Sequence, residues 1–154
     1  MNSHGSPVMD LATPIIYNGR EIPGYGVCRK SGKLYSIKQK AGQLMILKKA
    51  VYLGGHGYPE NTLMVDGKSK TFLTHKVVHE TLNPDVTKVE VDLGFTENEW
   101  KKTPKNVKIA LLRKVLQVNH IDHNKENFNP KNLEWVTQHE NIKKYHEYRE
   151  SNNE

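Results

Sequence analysis

The segment from residue 116 to residue 149 restricts the possible folds more than any other part of the chain. It contains two short apolar runs that are typical of strands, followed by a capping box that begins a helix. These elements are Leu116–Ile121, Leu133–Val136 and a helix from Thr137 to about Arg149. The residues between the two strands, 122–132, include four Asn, one Asp and one Pro, a composition that favours turns held by side-chain hydrogen bonds. The segment is therefore predicted to fold as a ββα hairpin.

Three polar side chains come together if this segment folds in that way. Asn119 and His120 end the first strand, and Asn141 lies near the start of the helix. A histidine in such a cluster can act as a general base, and two neutral oxygen ligands suit a hard divalent cation. Magnesium or manganese fits better than zinc, and the single cysteine, Cys28, excludes zinc sites that need two or more thiolates.

Positive charge is concentrated early in the chain. The 23 Lys and Arg exceed the 17 Asp and Glu, which gives a formal net charge of +6 and indicates an anionic partner. No acidic residue lies between Glu21 and Glu60. The basic residues of this window are Arg29, Lys30, Lys33, Lys38, Lys40, Lys48 and Lys49, with Tyr25, Tyr35 and Tyr52 interleaved. We expect these basic residues to contact double-stranded DNA; the alternative is a solvated sheet face.

His75 and Lys76 are two further candidates for phosphate contacts, although packing is the alternative for His75. His79 follows His75 at helical i, i+4 spacing, which could hold zinc, but the sequence supplies no third ligand. His139 and His146 are seven residues apart on one helix face, too far to hold one ion, but one of them could contact the metal site or DNA.

The region before the hairpin is predicted to be mainly β-structure and then helical. Asn18-Gly19 and Asp66-Gly67 are typical of tight hairpin turns, and residues 15–73 are predicted to form one small twisted antiparallel sheet. The remaining predicted elements are a helix over 75–82 with Thr74 as N-cap, an edge strand over 86–91, and helices over 97–102 and 104–116 with capping residues Thr96 and Thr103. The second of these helices carries an apolar stripe of Val107, Leu111 and Val115.

No apolar run approaches the roughly 20 residues that cross a bilayer, and the start of the chain lacks the layout of a signal peptide. We expect no membrane association and a cytoplasmic location. A monomer or weak dimer is expected.

The motif from Asn119 to Asn141 resembles the core of the HNH, or ββα-metal, endonucleases. It is most similar to their phage and intron homing branch, in which asparagine replaces the last histidine. The motif reads Asn119-His120-Ile121-Asp122-His123, then Asn132-Leu133-Glu134-Trp135, then Glu140-Asn141. His123 occupies a position that is usually glycine in this family, which predicts a positive φ or a different turn.

The resemblance implies a role for each matching residue. His120 is the general base, Asn119 and Asn141 are ligands of one Mg²⁺ or Mn²⁺ ion, and Asn132 braces the loop of the catalytic site. The implied fold class is α+β: a small N-terminal antiparallel sheet with a short helix, then helices, then a C-terminal ββα-metal core. The expected divisions are a disordered lead 1–13, a basic β-rich DNA-contacting region 14–84, a helical connector 85–116 and the nuclease core 117–154.

The function that follows from the resemblance is metal-dependent hydrolysis of DNA phosphodiester bonds. One ββα motif per chain predicts a nick in one strand, with a 5′-phosphate and a 3′-hydroxyl as products. A non-catalytic DNA-binding module with a degenerate core is the rival hypothesis, because Asn119 is neutral where many relatives carry a stronger metal ligand. An RNA- or protein-binding adaptor is a third hypothesis, supported by charge alone.

Overall fold

The computed structural model describes residues 12–89 and 91–152, except for the side chains of residues 39, 40, 43 and 44. The fold is mixed α and β, as predicted, with antiparallel sheets first and a strand-strand-helix segment last. The strands are β1 Ala12–Tyr17, β2 Arg20–Cys28, β3 Leu34–Lys40, β4 Gln43–Lys48, β5 Tyr52–Leu53, β6 Pro59–Val65, β7 Lys68–Leu73, β8 Leu116–His120 and β9 Leu133–Thr137. The helices are α1 Thr74–Leu82, α2 Glu97–Lys102, α3 Lys105–Val115 and α4 Gln138–Asn152, with 3-10 turns at Val86–Lys88 and Pro130–Asn132.

The described chain divides into two compact units. The first contains the described residues up to Pro84 together with His120–Leu133, and the second contains 85–119 and 134–152. The predicted boundary at residues 116/117 stays a prediction. Residues 1–11 of the predicted disordered lead lie outside the described residues, whereas Ala12 and Thr13 already belong to β1.

The first unit holds two sheets rather than the single sheet predicted for residues 15–73. One has the order β1-β2-β3-β4 and the other β5-β6-β7. The two sheets are separated in the chain between β4 and β5, where Asn61 Nδ2 donates to the carbonyl oxygen of Ala50 at 2.8 Å. The two hairpin turns are confirmed, with φ of 52° and 76° at Asn18-Gly19 and the same pair of values at Asp66-Gly67.

Helix α1 closes the first unit and is buried along most of its length. The buried apolar side chains here include Val77 and Val78 of α1, and Ile15, Val27, Leu34 and Leu63 of the sheets. The prediction that Thr74 is the N-cap is wrong. The helix begins at Thr74 itself, and the Thr74 hydroxyl donates to Asn61 Oδ1 at 2.6 Å because a buried amide oxygen needs a donor.

The second unit has its own apolar core, formed by Val86, Leu112 and Leu116 with Trp100, Ile109 and Trp135 packed against it. The prediction of an edge strand over 86–91 is wrong at its start, where Val86–Lys88 is a 3-10 turn. The Asp85 side chain stabilises this turn by accepting from the backbone N–H of Thr87, and Val86 packs in the core. Glu90 lies outside the described residues.

The helices of the second unit begin and end close to the predicted positions. The capping box of Thr96 and Glu99 is confirmed at α2. Thr103, however, is not a helix N-cap, because its hydroxyl donates to the carbonyl oxygen of Glu99 and closes α2. The apolar stripe of α3 is also rotated from the prediction, since Leu112 is fully buried whereas Val107 is 40% exposed.

Each helix within the described residues is too short or too polar to cross a membrane.

Candidate functional site

The polar loop after β8 is held together by Asn132. Asn132 Oδ1 accepts from the backbone N–H of Asp122 at 3.0 Å, and Asn132 Nδ2 donates to Asp122 Oδ1 and to the carbonyl oxygen of Asn127, both at 2.9 Å. The carbonyl oxygen of Asn132 also accepts from the N–H of Ile121 at 2.8 Å. One side chain therefore joins the start, the middle and the end of the loop, as a loop brace requires.

Other Asn and Asp side chains staple successive turns of the same loop. Asp122 Oδ1 accepts from the N–H of Asn124, and Asn124 Oδ1 accepts from the N–H of Glu126. Hydrogen bonds from Asn127, Asn124 and Asn132 lower the pKa of Asp122, which keeps this carboxylate ionised. His123 has a φ of 62°, so one of the two predicted outcomes, a positive φ, is confirmed.

His120 lies at the end of β8, where its ring is buried against two other rings. The ring centroids of His75 and Tyr58 lie 4.6 Å and 5.7 Å from that of His120. His120 is 6% exposed, and its Nε2 atom has no hydrogen-bond partner among the described residues. Burial lowers the pKa of His120, and the Asp122 carboxylate opposes that shift. The imidazole is therefore neutral at neutral pH, as a general base must be.

The ammonium group of Lys125 lies next to the cluster formed by the rings of Tyr58, His75 and His120, and Lys125 was not predicted as a site residue. Lys125 Nζ sits 5.1 Å from the Tyr58 ring centroid and donates to the carbonyl oxygen of His56 at 3.3 Å. No sequence pattern indicates this contact, because it joins the polar loop to a turn about seventy residues earlier.

The two candidate metal ligands belong to the second unit. Asn119 Nδ2 donates to Glu134 Oε1 at 3.0 Å, and Asn141 Nδ2 donates to Gln117 Oε1 at 3.1 Å. Because alternate residues of a strand face the same side, Asn141 lies beside the face of β8 that also carries Asn119. Both amides use their nitrogen for these bonds, so the carbonyl oxygens are the atoms that could bind a cation.

Glu134 contacts Asn119 and was not predicted as a site residue. Its Oε1 atom also accepts from Lys144 Nζ at 2.6 Å, so its charge is paired. The donor set of amide oxygens fits a hard cation such as Mg²⁺ or Mn²⁺. The described residues contain no group of three or more His, Cys, Asp and Glu side chains that could hold a metal ion, and His79 Nδ1 lies 3.3 Å from Asn83 Nδ2 rather than at a zinc site with His75.

The predicted DNA-contacting residues do not share one face. In β3 and β4, Lys48 is paired with Tyr35 and Lys38 with Met45. Since paired residues share a face and neighbours along a strand alternate, Lys38 and Lys48 lie on opposite faces. Lys49 lies over the Tyr25 ring at 6.0 Å, Lys76 is exposed on α1, and the side chain of Lys40 is outside the described part of the chain.

Arg29, Lys30 and Lys33 lie at the turn between β2 and β3, and this turn touches the polar loop. The carbonyl oxygen of Lys30 accepts from Asn129 Nδ2 at 3.2 Å. Gly32 has a φ of 76°, and a Cβ there would come within 2.5 Å of the carbonyl oxygen of Phe128, so the close approach requires glycine. The basic turn is thus fixed beside the loop that follows His120.

Residues 104–143 match a family model described as HNH endonuclease. This segment belongs to the HNH endonuclease family. The HNH segment includes Asn119, His120, Asn132 and Asn141, the four residues singled out above.

A solved structure extends the similarity beyond this segment. It is described as DNA binding and cleavage by the HNH homing endonuclease I-HmuI, and it matches with a TM-score of 0.50 and 27% identity. The match covers 85% of this chain and 56% of the other, so the chain spans little more than half the length of that protein. No curated protein matches the chain.

Proposed function

We propose that the chain is a metal-dependent DNA endonuclease of the HNH type that hydrolyses phosphodiester bonds. The observation that carries the proposal is the HNH match over the segment that contains His120, Asn132 and Asn141. The similarity of most of the chain to a homing endonuclease described as binding and cleaving DNA supports DNA as the substrate.

In the proposed reaction, His120 removes a proton from a water molecule, which attacks phosphorus in line with the departing 3′ oxygen. The ring of His120 is available to accept this proton because burial lowers its pKa and so keeps it unprotonated at neutral pH. Asn132 keeps the loop after His120 in one conformation through its three side-chain hydrogen bonds. The products are a 5′-phosphate and a 3′-hydroxyl.

The carbonyl oxygens of Asn119 and Asn141 would hold one Mg²⁺ or Mn²⁺ ion. When bound, this ion would stabilise the negative charge of the pentacovalent phosphate and of the leaving oxygen. Asn119 directly precedes His120 in the chain, so the ligand and the base are covalent neighbours.

Basic side chains would position the DNA backbone without reading its sequence. Lys30 and Lys33 are the best placed of the predicted set, because their turn packs against the polar loop. The chain has one ββα motif, so one molecule is expected to nick one strand in each binding event.

A second candidate function is a DNA-binding module without catalysis. The observation that favours it is the pairing of both amides with protein acceptors, Asn119 with Glu134 and Asn141 with Gln117. A neutral amide is also a weaker ligand for Mg²⁺ than a carboxylate.

Supercoiled plasmid incubated with Mg²⁺, Mn²⁺ or EDTA decides between the two functions. Conversion to open circle only with metal, by the wild type and not by His120→Ala, is the expected result. DNA binding in a gel shift without conversion under any metal condition would support the binding module instead. Cleavage that persists in EDTA would contradict the metal requirement.

A further inference from the structure

The proposed base, His120, forms a cluster of three rings with the buried His75 and the half-buried Tyr58. Tyr58 and His75 are stacked, with centroids 4.9 Å apart and planes inclined by 30°, and both contact the ring of His120. His120 thus receives its ring contacts from Tyr58 and His75, while its buried Nε2 has no hydrogen-bond partner among the described residues. Packing must therefore set the orientation of this imidazole.

Both contacting rings are fixed in place by β6. Tyr58 directly precedes this strand, and its N–H donates to His56 Nδ1, whose Nε2 is paired with Glu60 of the strand. His75 is the second residue of α1, and the first residue of that helix is bound to Asn61 of the same strand.

The C-terminal end of α1 is also attached to the sheet by side-chain hydrogen bonds. The Thr81 hydroxyl accepts from the N–H of Ile16 at 3.1 Å and lies 3.2 Å from its carbonyl oxygen. A helix bound at both ends cannot move His75 away from His120 without breaking buried hydrogen bonds.

The sequence suggested a phosphate contact for His75, but its surroundings do not suit that role. His75 is 4% exposed, and its Nδ1 atom is buried without a partner among the described residues. Burial and the neighbouring His120 and Lys76 lower the pKa of His75 to about 3, so the ring carries no charge near neutral pH. The next residue, Lys76, is exposed and charged, and it is the better candidate for DNA.

We propose that His75 is a positioning residue of the hydrolytic site, whose buried ring, together with Tyr58, holds the imidazole of His120 in the orientation that takes the proton from water. This inference rests on the proposed endonuclease function. It assigns to His75 an effect on the rate of the chemical step and none on DNA affinity.

Four variants test the proposal: His75→Ala, His75→Phe, Lys76→Ala and His120→Ala. Plasmid nicking with saturating Mg²⁺ gives kcat, and fluorescence anisotropy with a labelled duplex in Ca²⁺ gives Kd. We expect His75→Ala to lower kcat at least about tenfold, because a small misorientation of a reacting group can cost up to about a hundredfold in rate. Its Kd should stay within about twofold of the wild-type value.

His75→Phe and Lys76→Ala are the matched controls. Phenylalanine restores a flat uncharged ring, so kcat should recover to within about threefold of the wild type, while Lys76→Ala should raise the Kd. Thermal melts of both His75 variants show whether they fold. If His75→Ala does not fold, His75→Phe, whose ring fills the same space, still tests the proposal.

Three results would overturn the proposal. The first is a raised Kd with unchanged kcat in His75→Ala, which would restore the phosphate contact. The second is a His75→Phe variant that is folded yet as slow as His120→Ala, which would show that the imidazole nitrogens are needed. The third is a wild type that binds DNA but does not nick it, which would overturn the proposed function as well.

Discussion

The loop after His120 and the helix that carries Asn141 are built in opposite ways. The loop is fixed by its own side chains, with Asn132 alone making three hydrogen bonds across it. Helix α4 has no buried residue, and polar contacts such as Asn141 with Gln117 and Lys144 with Glu134 attach it to the strands beside it. The proposed base thus adjoins a rigid element, whereas a proposed metal ligand lies on an element that can adjust at little cost.

The largest effect is expected at the rigid element, from His120→Ala. This variant should abolish nicking, because it removes the proposed general base, and DNA affinity should change by no more than a few fold. Nicking rates and duplex affinity at one salt concentration check both expectations. A variant that nicks at nearly the wild-type rate would show that another group is the base.

Asn132→Ala should be the next most damaging change. It removes three side-chain hydrogen bonds at once, two exposed bonds to Asp122 and one partly buried bond to the carbonyl oxygen of Asn127, so the loop loses its brace. We expect loss of nicking together with a lower Tm and faster amide exchange across residues 120–132. Asn124→Ala is the control, since the Asn124 side chain makes one such bond, to the N–H of Glu126. If Asn132→Ala is inactive but as stable as Asn124→Ala, Asn132 takes part in the chemistry directly.

Asn119→Asp tests the other proposed metal ligand, which lies on β8. The new carboxylate would face Glu134 Oε1, which Asn119 Nδ2 now contacts at 3.0 Å, so the metal-free protein should melt at a lower temperature. A carboxylate is a stronger ligand for Mg²⁺, so nicking at low metal should be kept or rise several fold. Melting curves with and without Mg²⁺, and nicking across a Mg²⁺ titration, measure the two effects. Loss of stability that added metal does not restore would make Asn119 a structural residue.

The loop after His120 and the ring contacts of His120 differ in how far they could be predicted from the sequence. The Asn-rich composition of 122–132 predicts side-chain staples because these bonds span only a few residues. The contact of His75 and Tyr58 with His120 was not predictable, because it joins residues 45 and 62 positions apart whose partners depend on tertiary packing. The same limit explains why the N-cap prediction for Thr74 was wrong. The local sequence indicates an N-cap, but the Thr74 hydroxyl donates to the amide oxygen of Asn61, a residue thirteen positions earlier.

Acid should weaken the ring cluster of the first unit. His75 has a pKa of about 3 in the folded chain against about 6.5 when unfolded, so between these values the unfolded state binds a proton that the folded state excludes. The stabilisation is complete above pH 6.5 and is lost as the pH falls towards 3, by at most about 1.4 kcal/mol per pH unit. The Tm of the wild type should therefore fall more steeply from pH 7 to pH 4 than that of His75→Phe. Equal slopes would mean that His75 is not protected from protonation.

The smallest effect is expected from replacing single lysines between Glu21 and Glu60. Lys48 and Lys38 allow the two faces of one sheet to be compared. Lys48 shares its face with Tyr35, whereas Lys38 shares its face with Leu34 and Ser36, which are buried. A duplex that lies on the Tyr35 face meets Lys48 and not Lys38. Lys48→Gln should therefore flatten the dependence of log affinity on log salt by up to about 0.9, and Lys38→Gln should leave the slope unchanged. Duplex affinity measured from low to high salt separates the two variants. A flatter slope for Lys38→Gln alone would place DNA on the opposite face, and a flatter slope for both would mean that the duplex contacts both faces of the strand pair.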